Sequence, residues 1–104
     1  MTDFAAVATA ADAIESAMRD AGWWTAEPPP PERMNFQRAF GADTLAFQEW
    51  LQWILLPRVR EGLAGGGLPG HSEVGTYAVR ELDGAPDADA VIQALMDLDD
   101  AING

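Results

Sequence analysis

At 104 residues the chain has room for one domain around one core, and is too short for a large cleft enzyme assembled from two lobes. Seventeen Asp and Glu against six arginines and no lysine give a net charge of −11, which opposes unaided binding to a polyanion such as nucleic acid. The lack of cysteine removes disulfides, thiolate metal sites and cysteine nucleophiles, and no apolar run is long enough to span a bilayer. With no basic start and apolar stretch of a secretory signal, a cytoplasmic location is expected.

In chain order, Phe4, Val7, Ala11, Ile14 and Met18 recur at about 100° per residue and predict a first helix from Asp3 to Ala21. Thr2 or Asp3 is placed to cap its start and Gly22 to end it. Four prolines, Pro28 to Pro31, then hold a stiff polyproline linker. Trp23, Trp24, Met34, Phe36 and Phe40 flank it, so the linker is expected to lie across the protein with its aromatic ends buried.

Asp43 is placed to cap a second helix, in which Phe47, Trp50, Leu51, Ile54 and Leu55 share one face, Trp53 widens it, and Gln48, Glu49 and Gln52 lie opposite. Pro57 has no amide to give the Trp53 carbonyl, so a kink or break is expected before Arg58. Gly65 to Gly70 read as a loop. Ser72 is placed to start a third helix, with Val74, Ala78 and Leu82 at helical spacing and Gly75 weakening it. Asp87 is placed to cap a fourth, striped by Val91, Ile92, Leu95, Met96, Leu98 and Ile102. Four amphipathic segments without alternating strands predict an all-α fold, a small four-helix bundle with a proline-rich linker between helices 1 and 2, forming one domain over residues 1–104.

No catalytic signature stands out. The carboxylates fall mainly on polar helix faces, where solvation explains them. Asp97, Asp99 and Asp100 lack the alternation of a calcium loop, and three acids near a helix C-terminus run against the dipole. His71, the only histidine, has no second metal ligand, and its neighbour Ser72 has no nucleophile elbow around it. No metal, cofactor or catalytic residue is therefore expected. The remaining candidates are binding residues: Trp53, Pro57, Arg58 and Arg60 on the second helix, with Trp24 and Trp50. Helical periodicity puts Trp50 in the core, whereas Trp53 stands at the edge of the stripe. Arg58 and Arg60 are placed to pair with Asp43 or nearby carboxylates, or to receive an anion or a partner's carboxylate.

The stretch "DTLAFQEWLQWILLPRV", Asp43 to Val59, together with the aromatic and proline segment before it and "GLP" at Gly67 to Pro69, resembles the YqcC-like family of small bacterial proteins. "HSEVGTY" departs from the alanine and proline usual at that place in the family. The resemblance implies a helical bundle and an association with tRNA pseudouridine synthase C, without implying a chemistry. The chain lacks the basic groove and base-holding site of a synthase. The reading that follows is a non-enzymatic protein-interaction or accessory module, with a small-molecule or anion-binding domain as the alternative. A protein partner is expected, without membrane or direct nucleic-acid binding, and homodimerisation stays open.

Overall fold

The structure, a computed structural model, describes residues 2–35, 37 and 45–104. The first apolar stripe becomes helix α1, Phe4–Asp20, with Val7, Ala10, Ala11, Ile14 and Met18 buried and Phe4 left outside. Asp3 is its cap: the carboxylate accepts the Ala6 amide at 3.1 Å. At the other end Trp23 N–H donates to Met18 O at 2.9 Å and Gly22 N–H to Arg19 O at 3.1 Å, a Schellman turn that puts Gly22 at φ +77°.

The polyproline linker follows, with Pro29 buried and Pro30 at φ −53°, ψ 146°, and closes in a short 3₁₀ turn, Pro31–Met34. Trp23, Trp24 and Met34 pack against the core as the linker reading expects, while Phe36 and Phe40 lie outside the described residues.

Helix α2 begins as Phe47–Trp50, widens into a π turn over Leu51–Leu55, and continues as Leu56–Glu61. Asp43 lies outside the described residues; the N-cap position is Ala46, whose amide donates to the Glu49 carboxylate at 2.9 Å. Where a kink or break is expected, the helix runs on through Pro57 without a break. The Leu56 amide reaches back five residues to Leu51 O, so the helix steps into i→i−5 register just where Pro57 would otherwise leave a gap, and the backbone stays helical. A second π turn, Gly62–Gly66, ends the helix.

Helix α3 is Val74–Glu81 and helix α4 is Asp89–Asn103. Two expected caps shift here. Ser72 stands before the start of α3 and is buried, and Asp87 sits outside α4 at φ +61°, leaving Ala88 as an N-cap with no side-chain acceptor. The start of α3 is capped from another helix. Asp99 of α4, buried at 6% exposure, accepts Ser72 Oγ at 2.6 Å and the amides of Val74 at 3.0 Å and Gly75 at 2.7 Å. Asn103 completes the clasp, accepting Ser72 N–H at 2.8 Å and donating to Ser72 O at 2.9 Å. A buried carboxylate at a helix N-terminus is favoured by dipole and free amides alike, which accounts for an acid that its own helix C-terminus disfavours.

Helices α1 and α4 form the most extensive pair, and α3 lies on α4. Asp3 N–H donates to Ala101 O and Thr2 Oγ1 to Ile102 O, both at 3.0 Å, so the start of α1 meets the end of α4 and the two run antiparallel. Both helices bury small side chains, Ala10 and Ala11 on α1 and Ala94 and Ala101 on α4, which suit close helix packing. Against this layer α2 sets its large side chains: Leu51 and Leu56 are fully buried, and Phe47 stacks on Trp50 with centroids 6.2 Å apart and tilts against Tyr77 at 5.3 Å. The fold is an all-α four-helix arrangement, with no strand among the described residues.

Candidate functional site

One cleft gathers most of the singled-out residues. It has a volume of about 640 Å³ and lies between the end of α1, the segment after Gly22 and the middle of α2. Trp24, Trp53, Pro57 and Arg60 line it, together with Arg19, Thr25, Ala26 and Gln52. Trp53, Pro57 and Arg60 meet there because they recur at four and three residues along one helix face. Trp24 arrives from the other side, carried over α2 by the segment that leaves the Schellman turn.

Two side chains of α2, Gln52 and Trp53, bond that segment at Thr25. Gln52 is buried at 5% exposure, although its spacing places it with Gln48 and Glu49 on the polar face. Its Oε1 accepts the Thr25 amide at 3.0 Å and its Nε2 donates to Thr25 O at 2.6 Å, so the carboxamide pairs with both main-chain groups of one residue. Trp53 Nε1 donates to Thr25 Oγ1 at 3.2 Å. The π turn adds a feature to this wall. Gln52 O would take its donor from residue 56 or 57, but the Leu56 amide is spent on Leu51 and Pro57 has none.

The cationic side of the cleft is a chain of alternating charges. The Arg19 guanidinium lies 4.7 Å from the centroid of the Trp24 ring and its Nε bonds Glu15 Oε2 at 2.9 Å. Arg60 holds the other oxygen of Glu15 at 2.8 Å and Asp12 at 3.4 Å. The hydrogen bond from Arg19, then the bond and charge of Arg60, hold the Glu15 carboxyl below its ordinary pKa, with partial burial opposing them. Arg58 is different: it is exposed, is not among the residues that line the cleft, and makes no ion pair among the described residues.

The expected residues therefore divide. Trp24, Trp53, Pro57 and Arg60 come together; Arg58 stands beside them in solvent; Trp50 lies outside the cleft, in the core against Phe47. Sequence reasoning missed Gln52, Thr25, Arg19 and Glu15. The last two carried a readable signal, since Glu15 and Arg19 are spaced i,i+4 on α1. Gln52 and Thr25, 27 residues apart, carried none. Among the described residues no group of three His, Asp or Glu is arranged to hold a metal ion. Ser72 is engaged by Asp99, and the exposed His71 lies 3.3 Å from Glu73. No helix among the described residues is long and apolar enough to cross a membrane.

The DUF446 family model, described as tRNA pseudouridine synthase C, matches residues 6–101. A Pectobacterium carotovorum subsp. carotovorum protein named tRNA pseudouridine synthase C is 44% identical over 46 residues, which are 44% of this chain and only 12% of that protein. The uncharacterized protein YqcC of Escherichia coli (strain K12) is 36% identical over 66 residues, covering 62% of this chain and 61% of that one. An uncharacterized Haemophilus influenzae protein is 25% identical over 91 residues, 86% of each chain. In three dimensions the chain is similar to the solution NMR structure of YqcC from E. coli, with a TM-score of 0.82 and 31% identity over 98% of this chain and 89% of that one. A match across nearly the whole sequence and a shared helical arrangement lead to one conclusion: the chain belongs to the YqcC-like family.

Proposed function

We propose that the protein is a non-enzymatic interaction module that docks a partner protein through the face built from Trp53, Pro57, Arg58 and Arg60 with Trp24 beside them, as an accessory to tRNA pseudouridine modification. The observation that carries this reading is Trp53. It keeps part of its ring outside, next to an exposed proline and an exposed arginine, on a molecule whose net charge is −11. Tryptophan and arginine are the side chains that contribute most when an interface closes over them. The link to tRNA modification rests on the Pectobacterium protein, in which the similar segment is a small part of a protein named as the synthase.

The engagement of Ser72 by Asp99 and the exposure of most other carboxylates support the non-enzymatic reading. A small-molecule or anion site is the second reading, favoured by the cleft itself. The pairing of Arg19 and Arg60 with Glu15 weighs against an anion there, because a ligand would have to displace a carboxylate already in place.

Affinity purification of the tagged protein from its own cells tests the reading, with Trp53→Ala and Arg58→Glu compared after both are shown to fold by circular dichroism. The expected result is a specific protein recovered with wild type and reduced about tenfold or more with each variant, the scale of losing an interface anchor. Equal recovery with folded variants, or no specific protein at all, overturns it.

A further inference from the structure

We infer that the segment Trp23–Glu27 is a strap that opens locally from helix α2, with Gln52 as its latch, while the packing of α1 on α4 stays intact. This goes beyond the docking reading and does not depend on which partner is involved. A carboxamide buried under a crossing segment has a desolvation cost, and a leucine would fill the same place without it. Among the described residues Gln52 is retained there with Thr25 as its side-chain partner: the Thr25 amide and hydroxyl both donate to Gln52 Oε1, Nε2 donates to Thr25 O, and the neighbouring Trp53 donates to the same hydroxyl.

The surroundings of the latch are hollow on both sides. The cleft of about 640 Å³ lies on the Trp24 side, and a second hollow of about 290 Å³, lined by Trp23, Ala46, Gln48 and Glu49, lies on the other. Thr25 and Gln52 line both, so the contact between them is the wall dividing the two hollows. At one end the strap leaves α1 through the left-handed Gly22, and at the other it enters the polyproline rod, so it spans two fixed points. Trp23 and Trp24 rest on the core and oppose opening, which keeps the open form a minor one. Opening joins the hollows into one groove along α2 and frees a carboxamide already positioned to pair with an extended main chain.

Native-state hydrogen exchange on the whole chain tests this through the Thr25 amide, compared with the slowest amides of α1 and α4 in increasing urea below the unfolding transition. The expected result is a protected Thr25 amide that exchanges at least about tenfold faster than those core amides, with a much weaker urea dependence because little surface is exposed. Gln52→Leu should speed the Thr25 amide by a further factor of about ten or more, since it removes that amide's acceptor together with the two other bonds between the side chain and Thr25, and leave α1 and α4 unchanged. If the Thr25 amide of the wild type exchanges with the rate and urea dependence of the core, the strap has no motion of its own; if it is unprotected, Gln52 is not a latch. The wild-type measurement decides between these even where the variant fails to fold.

Discussion

Asp99 and Gln52 are two buried polar side chains, and each is buried where another segment brings it main-chain groups. For Asp99 those groups are the first amides of α3, and for Gln52 they are the amide and carbonyl of Thr25. Asp99→Ala removes the acceptor of three donors at once. The expected loss of stability is about 2 kcal/mol or more, the upper range of an N-cap deletion, and Asp99→Asn should lose less because one carbonyl acceptor remains. Urea denaturation checks both, and an unchanged midpoint for Asp99→Ala contradicts the cap. Neither burial was legible in the sequence, since spacing along one helix says which face a residue occupies and nothing of a strand of chain laid over that face. The core side chains Val7, Ile14, Met18, Leu51 and Leu95 were legible, because their burial follows from periodicity alone.

Glycines at element ends and crossings separate two physical costs. A Cβ at Gly22 meets nothing within 4 Å, so Gly22→Ala pays only for the left-handed backbone of the Schellman turn, about 1 kcal/mol. At Gly75 the Cβ would stand 2.6 Å from Met96 Sδ and 2.8 Å from the Met96 backbone nitrogen and Cα. Sulfur can move aside but backbone cannot, so α3 must shift off α4, and Gly75→Ala should destabilise by about 1–3 kcal/mol despite alanine's better helix propensity. The two variants compared by thermal unfolding, with the larger loss at Gly75, check the crossing; a gain at Gly75 would contradict it. The helices themselves were legible from their stripes, and so was the Asp3 cap of α1, while the starts of α3 and α4 were not: Ser72 and Asp87 have cap chemistry but not cap positions. Pro57 predicted an interruption, and a π turn, which shows no sequence pattern of its own, absorbed it instead.

Across the whole molecule, the dominant fact is negative charge, and Arg19, Arg33 and Arg60 are placed where they offset it locally. Glu15 joins Arg19 and Arg60, so α1 and α2 share one network at the cleft. Because its pKa is lower folded than unfolded, Glu15 contributes stability above the ordinary carboxylate range, and the contribution disappears as pH falls through the folded value. Glu15→Gln should therefore be slightly less stable than wild type at neutral pH and equal to it in acid, and the difference should shrink in high salt because the network is partly exposed. Denaturation midpoints across pH and salt check this; a difference that persists in acid contradicts it. The all-α fold class was legible at this scale, and so was part of the cleft's geometry, since Trp53, Pro57 and Arg60 follow helical spacing and line one cleft with Trp24. That Arg60 meets Glu15 and Asp12 depends on where α1 lies, which no local pattern encodes.

The central claim is that the Trp53 and Arg58 face is a protein interface. Photo-crosslinking in living cells tests it most directly, with a photoreactive phenylalanine at the exposed position of Arg58 and, as a control, at exposed Gln93 on α4. The account predicts one discrete crosslinked protein from position 58 and none from position 93. The same products from both positions, or none from position 58 in a folded protein, would contradict it.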